Sequence, residues 1–152
     1  MMKFLIVSDS HGDYNYLQQI VYSNQDVDVF IHLGDYEIPE YLLNRFIFVR
    51  GNCDFLSDAP KFRDIDYGTF NIHFEHGNNI DFYNFEKYIE SKECDIFLFG
   101  HTHKKFAKEI GNTYVFNPGS LTRPRDSSLG SYLILEIKDK NNITYKFKTV
   151  EL

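Results

Sequence analysis

Cysteine is scarce in this chain. Its two cysteines, Cys53 and Cys94, form no C-x-x-C pair, which excludes a disulfide framework and a thiolate-based zinc cluster. Basic stripes are absent as well: Lys and Arg are interleaved among the acids, and the formal net charge is −6. Extended nucleic-acid binding needs clustered cations to displace counterions, so it is not expected. Long apolar runs are missing too. The N-terminal run Phe4–Val7 is shorter than a signal-peptide core, and a membrane span needs roughly twenty residues. The expected compartment is therefore the cytoplasm, with no membrane partner. No repeat, low-complexity tract or Pro/Gly/Ser linker divides the 152 residues, so one domain spanning 1–152 is expected. A chain of that length buries roughly 70% of its unfolded surface.

The chain does carry five short polar clusters, each at the end of an apolar run. They are Asp9-Ser10-His11, Gly34-Asp35, Gly51-Asn52-Cys53-Asp54, His76-Gly77 and Gly100-His101-Thr102-His103. The runs before them, Lys3–Val7, Asp28–Leu33, Phe46–Arg50, Phe70–Glu75 and Ile96–Phe99, read as β-strands. Strand ends on one edge of a sheet converge, so ligands about a hundred residues apart in sequence can share one site. Imidazoles, carboxylates and one amide suit divalent ions better than a structural zinc.

Helical periodicity is expected over Tyr14–Ser23, with Asp13 as N-cap and Leu17, Ile20 and Val21 on one face. A short helix around Glu40–Asn44 follows Pro39. Another covers Asp81–Ser91, with Phe82, Phe85, Tyr88 and Ile89 on one side. From Lys105 the pattern changes to hairpins: Phe106–Ile110 with Tyr114–Phe116, then Ser131–Ile137 with Ile143–Lys148. Strand–helix alternation followed by antiparallel strands implies two packed sheets with helices outside.

Each cluster alone has an ordinary alternative. Asp9 reads equally as a turn cap beside a solvated His11, Gly34-Asp35 as a turn, and Gly51-Asn52-Cys53-Asp54 as turn chemistry. Two imidazoles spaced as in His101-x-His103, directly after an apolar strand, point most directly to metal. His32 and His73, inside strands, read as packed or supporting histidines, and Cys94 as a core residue. Asp54 either orients Asn52 or caps its own turn. The aromatic excess suits a core better than a base-stacking platform.

Taken in order, D-x-H, G-D, G-N, H-G and G-H-x-H resemble the calcineurin-like metallophosphoesterase superfamily, in particular its small single-domain YfcE-like phosphodiesterase branch. The resemblance runs from Lys3 to about Arg125 and includes Asn117-Pro118-Gly119-Ser120. It implies an α/β fold, a four-layer α/β/β/α sandwich of two mixed sheets flanked by helices. It also implies two divalent ions: Asp9, His11, Asp35 and His103 would hold one, and Asp35, Asn52, His76 and His101 the other. Mn²⁺ is expected first, with Fe²⁺, Zn²⁺ or Ni²⁺ as alternatives. The implied reaction is hydrolysis of a small phosphate diester by a metal-bridging hydroxide, with Asp35, Asn52, His76 and His101 as the catalytic set. Many members place His where this chain has Cys53, a weak hydrogen-bond donor, which argues against monoester hydrolysis. The absence of a large insertion implies an open site. Cys53, Arg123 and Arg125 are the expected substrate contacts, though solvated arginines are the alternative. Three other readings stay open: a phosphomonoesterase, a cyclic-nucleotide phosphodiesterase, and a non-catalytic scaffold like the retromer subunit of this fold. Homo-oligomerisation is also left open.

Overall fold

A computed structural model describes residues 1–126 and 129–150. Among the described residues, ten strands and two α-helices appear in the order β1 (Met2–Val7), α1 (Tyr14–Ser23), β2 (Val29–His32), β3 (Phe46–Phe48), β4 (Phe62–Asp66), β5 (Asn71–Glu75), α2 (Phe85–Ser91), β6 (Ile96–Leu98), β7 (Lys105–Ile110), β8 (Thr113–Pro118), β9 (Ser131–Asp139) and β10 (Asn142–Thr149). They form two five-stranded sheets, ordered β10-β9-β1-β2-β3 and β4-β5-β6-β8-β7. Both are mixed: β1 runs parallel to β2 and antiparallel to β9, while β6 runs parallel to β5 and β8.

Alternating side chains on each strand sort into separate layers, as the pleat requires. Phe4 and Ile6 of β1 point between the sheets, where they meet Ile72 and Phe74 of β5 and Ile96 and Leu98 of β6. Leu5 and Val7 point the other way, onto Leu17 and Ile20 of α1. In the second sheet Phe97 faces outward to Ile89 of α2. Three apolar cores between four layers give the expected α/β/β/α sandwich.

Local signals explain the helices. The Asp13 carboxylate accepts the Tyr16 N–H at 3.1 Å and caps α1. The segment after Pro39 forms a 3₁₀ turn, Glu40–Leu43, in place of an α-helix. The expected helix from Asp81 splits into a 3₁₀ turn, Phe82–Asn84, and a shorter α2, because Asp81 caps Tyr83 and the chain restarts at Phe85. Phe82 consequently remains exposed while Ile89 is fully buried. Strand β4 was not expected. It is an edge strand of mixed polar and apolar residues, and only its antiparallel pairing with β5 gives it strand form.

Register is what positions the site. Val7, His32 and Phe48 are neighbours at the ends of β1, β2 and β3. Phe74, Leu98 and Phe116 are neighbours near the ends of β5, β6 and β8. The segments leaving these strands therefore emerge on one edge, and that edge carries all five polar clusters.

Candidate metal centre

Two constellations of ligand atoms form at this edge. In the first, Asp9, His11 and His103 each present one atom within 4.8 Å of the others. His11 Nε2 lies 3.3 Å from His103 Nε2, and His103 Nε2 lies 3.2 Å from Asp9 Oδ1. In the second, Asp35, His76 and His101 converge within the same limit. His76 Nε2 stands 3.2 Å from Asp35 Oδ2, and His101 Nδ1 faces the Asn52 amide oxygen at 3.2 Å. Asp9 Oδ1 also lies 3.8 Å from His76 Nε2, so this carboxylate reaches between the two groups.

The imidazoles are aimed by their rear nitrogens. His76 Nδ1–H donates to the Leu33 carbonyl at 2.9 Å, and His103 Nδ1–H to the Arg123 carbonyl at 2.6 Å. His11 Nδ1–H points at Glu37 Oε1 at 2.5 Å. All three rings then turn Nε2 inward, the arrangement that orients a histidine ligand toward a metal. Asp9 Oδ2 is held by the Ser8 hydroxyl at 2.5 Å and the His101 backbone N–H at 3.0 Å, which frees Oδ1. Asp35 Oδ1 accepts the Cys53 N–H at 2.8 Å and leaves Oδ2 free in the same way.

Whether a cation suits these residues is answered by the atoms they leave over. Asp9 Oδ1 and His76 Nε2 are buried, yet neither has a hydrogen-bond partner. The 3.2 Å approaches of His103 to Asp9 and of His76 to Asp35 are close enough for ion pairing but are not aligned as hydrogen bonds. Unpaired buried acceptors cost free energy, and a cation placed among them would relieve that cost. The backbone carries strain in the same place: Asp9, His11, Asp35, His101 and His103 all have positive φ, from 43° to 68°. Left-handed conformations of such residues are costly and cluster at functional sites.

The charges respond to this crowding. Burial raises the Asp35 carboxyl, but His76, the Cys53 N–H and His11 together outweigh burial and hold it below its ordinary value. Asp9 is lowered likewise: His103, His76 and Ser8 overcome its burial. His103 is raised by Asp9, and His76 is raised by Asp35 and Asp9 against its own burial. Burial and the neighbouring His76 lower His101. The acids stay anionic and the cluster attracts positive charge.

Glycine permits the close approach of the loops. A Cβ on Gly51 would run into the Asp35 carboxylate, and one on Gly100 into the Ser8 hydroxyl.

The structure shows what the expected supporting residues do. Asp54 accepts three backbone N–H groups, from Asp35 at 2.8 Å, Gly51 at 2.7 Å and Glu37 at 2.9 Å. It thereby ties the Asp35 loop to the Asn52 loop, besides closing its own turn. His32 is fully buried; its Nδ1 accepts the Gly34 N–H at 3.0 Å and its Nε2–H faces Ser10 Oγ at 2.9 Å. Asn117 donates to the Gly100 carbonyl, and the Ser120 hydroxyl to the Asp9 carbonyl. Glu37 was missed outright; its one signal was an acid two residues beyond Asp35. Cys53 lies at the rim with Sγ near His11 and Glu37, and burial and Asp35 push its thiol up to about 11. The side chains of Arg123 and Arg125 are exposed; the backbone of this segment, not its guanidinium groups, meets His103.

Comparison with known proteins places this geometry. The family model for the calcineurin-like phosphoesterase superfamily domain matches residues 2–140. The chain belongs to that superfamily. It is 33% identical over 145 residues to the probable metallophosphoesterase YsnB of Bacillus subtilis, covering 91% of this chain and 86% of that protein. It is 25% identical over 166 residues to the phosphodiesterase YfcE of Escherichia coli K12, covering 90% and 88%. Among solved structures, a predicted phosphoesterase from Streptococcus pneumoniae superposes with a TM-score of 0.87 at 29% identity, over 97% of this chain and 89% of that one. The expected fold and family are borne out, and with them the class of enzyme: a phosphoesterase whose family implies divalent metals. Among the described residues no helix is long and apolar enough to cross a membrane.

Proposed function

We propose that this protein is a dinuclear-metal-dependent phosphodiesterase acting on small diesters, with residues 1–152 as a single functional domain. Asp9, His11, Asp35 and His103 would hold one divalent ion, and Asp35, Asn52, His76 and His101 the other. Asp35 is shared, and its free oxygen and that of Asp9 supply the negative charge that two neighbouring dications require. The observation that carries this reading is the pair of buried, unpartnered atoms, Asp9 Oδ1 and His76 Nε2, facing one another's ligand groups. When bound, the ions supply Lewis acidity and an activated water; Mn²⁺ is the ion expected first.

The chain's own groups account for the rest. Glu37, Leu33 and Arg123 fix the imidazole tautomers through Nδ1. Exposed guanidinium groups of Arg123 and Arg125 are available to the substrate phosphate. Cys53 supplies no effective proton to a leaving group, since a thiol is a weak hydrogen-bond donor. A leaving group that departs without protonation is therefore favoured, and a phenolate does so more readily than an alkoxide.

A matrix of metals against substrates, on protein stripped of metal, tests the reading. Activity should be absent without metal, return with Mn²⁺, and favour aryl diesters over alkyl monoesters. No turnover of any ester with any of the four metals would overturn it, and equal rates on alkyl monoesters would overturn the argument from Cys53.

A further inference from the structure

Beside the metal ligands a cleft of about 630 Å³ opens between the segment Tyr36–Glu40 and the segment Cys53–Asp58. It adjoins the site at Cys53, whose N–H donates to Asp35 Oδ1, and at Glu37, which meets His11 Nδ1. Cys53 and Glu37 line it, and both present ligand atoms within 4.8 Å of the His11 ring. A substituent reaching past Cys53 from a phosphate held by the ligand residues would enter this cleft.

Two properties of the lining select what fits. Its lip is apolar: Phe55 is 88% exposed and Leu56 is 100% exposed, with Ile38 and Pro39 opposite. Two adjacent large apolar side chains held in water at the edge of a catalytic centre offer their faces to a ligand that would cover them. Its charge is of one sign. No Lys or Arg lines it, whereas Glu37, Glu40, Asp54 and Asp58 do. Glu37 is engaged by His11 and Asp54 by three backbone N–H groups. Glu40 accepts the Tyr36 hydroxyl through one oxygen, at 3.1 Å, and Asp58 is exposed at the rim. A second anionic group seated within the lining would meet these carboxylates with no lining Lys or Arg to offset them.

We propose that this cleft receives one ester substituent of the diester, and that it selects an aromatic or apolar group carrying no negative charge. The inference rests on the phosphodiesterase reading and gives it a substrate class: diesters with an uncharged aromatic substituent, not those bearing a further phosphate or carboxylate.

The chain contains no tryptophan, so Phe55→Trp installs a sole indole at the lip. Metal-loaded Phe55→Trp protein is titrated with 4-nitrobenzylphosphonate, whose carbon–phosphorus bond is not hydrolysed and whose nitro ring quenches indole. Saturable quenching is expected, relieved by competing methylphosphonate, with 4-carboxybenzylphosphonate binding roughly tenfold more weakly. In parallel, Phe55→Ala with Leu56→Ala should lower kcat/KM for bis(4-nitrophenyl) phosphate by roughly tenfold, mainly through KM. Glu40→Gln with Asp58→Asn should narrow the gap between the nitro and carboxy ligands. If wild-type protein hydrolyses bis(4-nitrophenyl) phosphate, yet quenching is absent and the apolar variant keeps its KM, the cleft inference is overturned while the phosphodiesterase reading stands. If no diester is hydrolysed and neither phosphonate binds, the phosphodiesterase reading itself fails.

Discussion

Replacing Asp54 by Asn should loosen the centre without touching any metal ligand. The carboxylate is buried and accepts N–H groups from Asp35 and Gly51 on Oδ2 and from Glu37 on Oδ1. An Asn amide has one acceptor oxygen and one NH₂. Placed with its oxygen toward Asp35 and Gly51, it retains two contacts and turns NH₂ against the Glu37 N–H. One buried donor loses its partner, and the other two contacts lose their charge assistance. A lost buried partner costs about 1–3 kcal/mol, and the weakened pair adds about 1 kcal/mol more, for a total of about 2–4 kcal/mol. Asp54→Ala, which abandons all three donors, should cost more. Urea denaturation of metal-free protein measures the loss, and calorimetric titration with Mn²⁺ measures its effect on the loops. Both should move together, because the same carboxylate fixes the Asp35 and Asn52 loops. Stability within about 0.5 kcal/mol of wild type, with unchanged Mn²⁺ affinity, would refute the assignment of Asp54 as the tie between them.

Two further outcomes follow from the same geometry. Burial draws the His32 imidazole down from 6.5 to about 3, so below its ordinary pKa the unfolded chain takes up a proton that the folded chain refuses. Stability from His32 is thus complete above pH ~6.5 and falls as pH drops toward 3, by up to about 1.4 kcal/mol per pH unit; His32→Gln should flatten that slope in metal-free denaturation curves, and an unchanged slope would exclude His32 as its source. His76→Ala should lower kcat on a diester by at least ~10²-fold while the metal-free melting temperature holds or rises slightly. An intact rate would remove His76 from the site and weaken the two-metal reading, and an unfolded variant would make it a structural histidine; a scaffold would show no turnover in either protein.

The fold was legible where the pattern was strong. The continuous apolar run Phe4–Val7 identified β1, and the five polar clusters marked the strand ends that the parallel registers align. Strand β4 was hidden, because Phe62–Asp66 alternates without a continuous apolar face and owes its form to β5. Helix α2 is shorter than its periodicity suggested, since an acceptor at Asp81 serves equally to close a 3₁₀ turn. In the site, the inward-facing groups announce themselves by residue type and place: imidazoles and carboxylates at strand ends. Supporting groups do not. Glu37 is one acid among many until His11 is found 2.5 Å away, and Asp54 is a turn residue until three N–H groups converge on it. Arg123 was read for its guanidinium, whereas its carbonyl is what meets His103. Backbone contributions of that kind leave no mark in a sequence.

The central claim is that these residues bind two ions, not one. Wild-type protein stripped with chelator, reloaded with excess Mn²⁺ and desalted should carry two ions per chain, and anomalous scattering from crystals should show two peaks within about 4 Å of each other, flanking Asp35. A single ion at saturation, or a single anomalous peak, would contradict it.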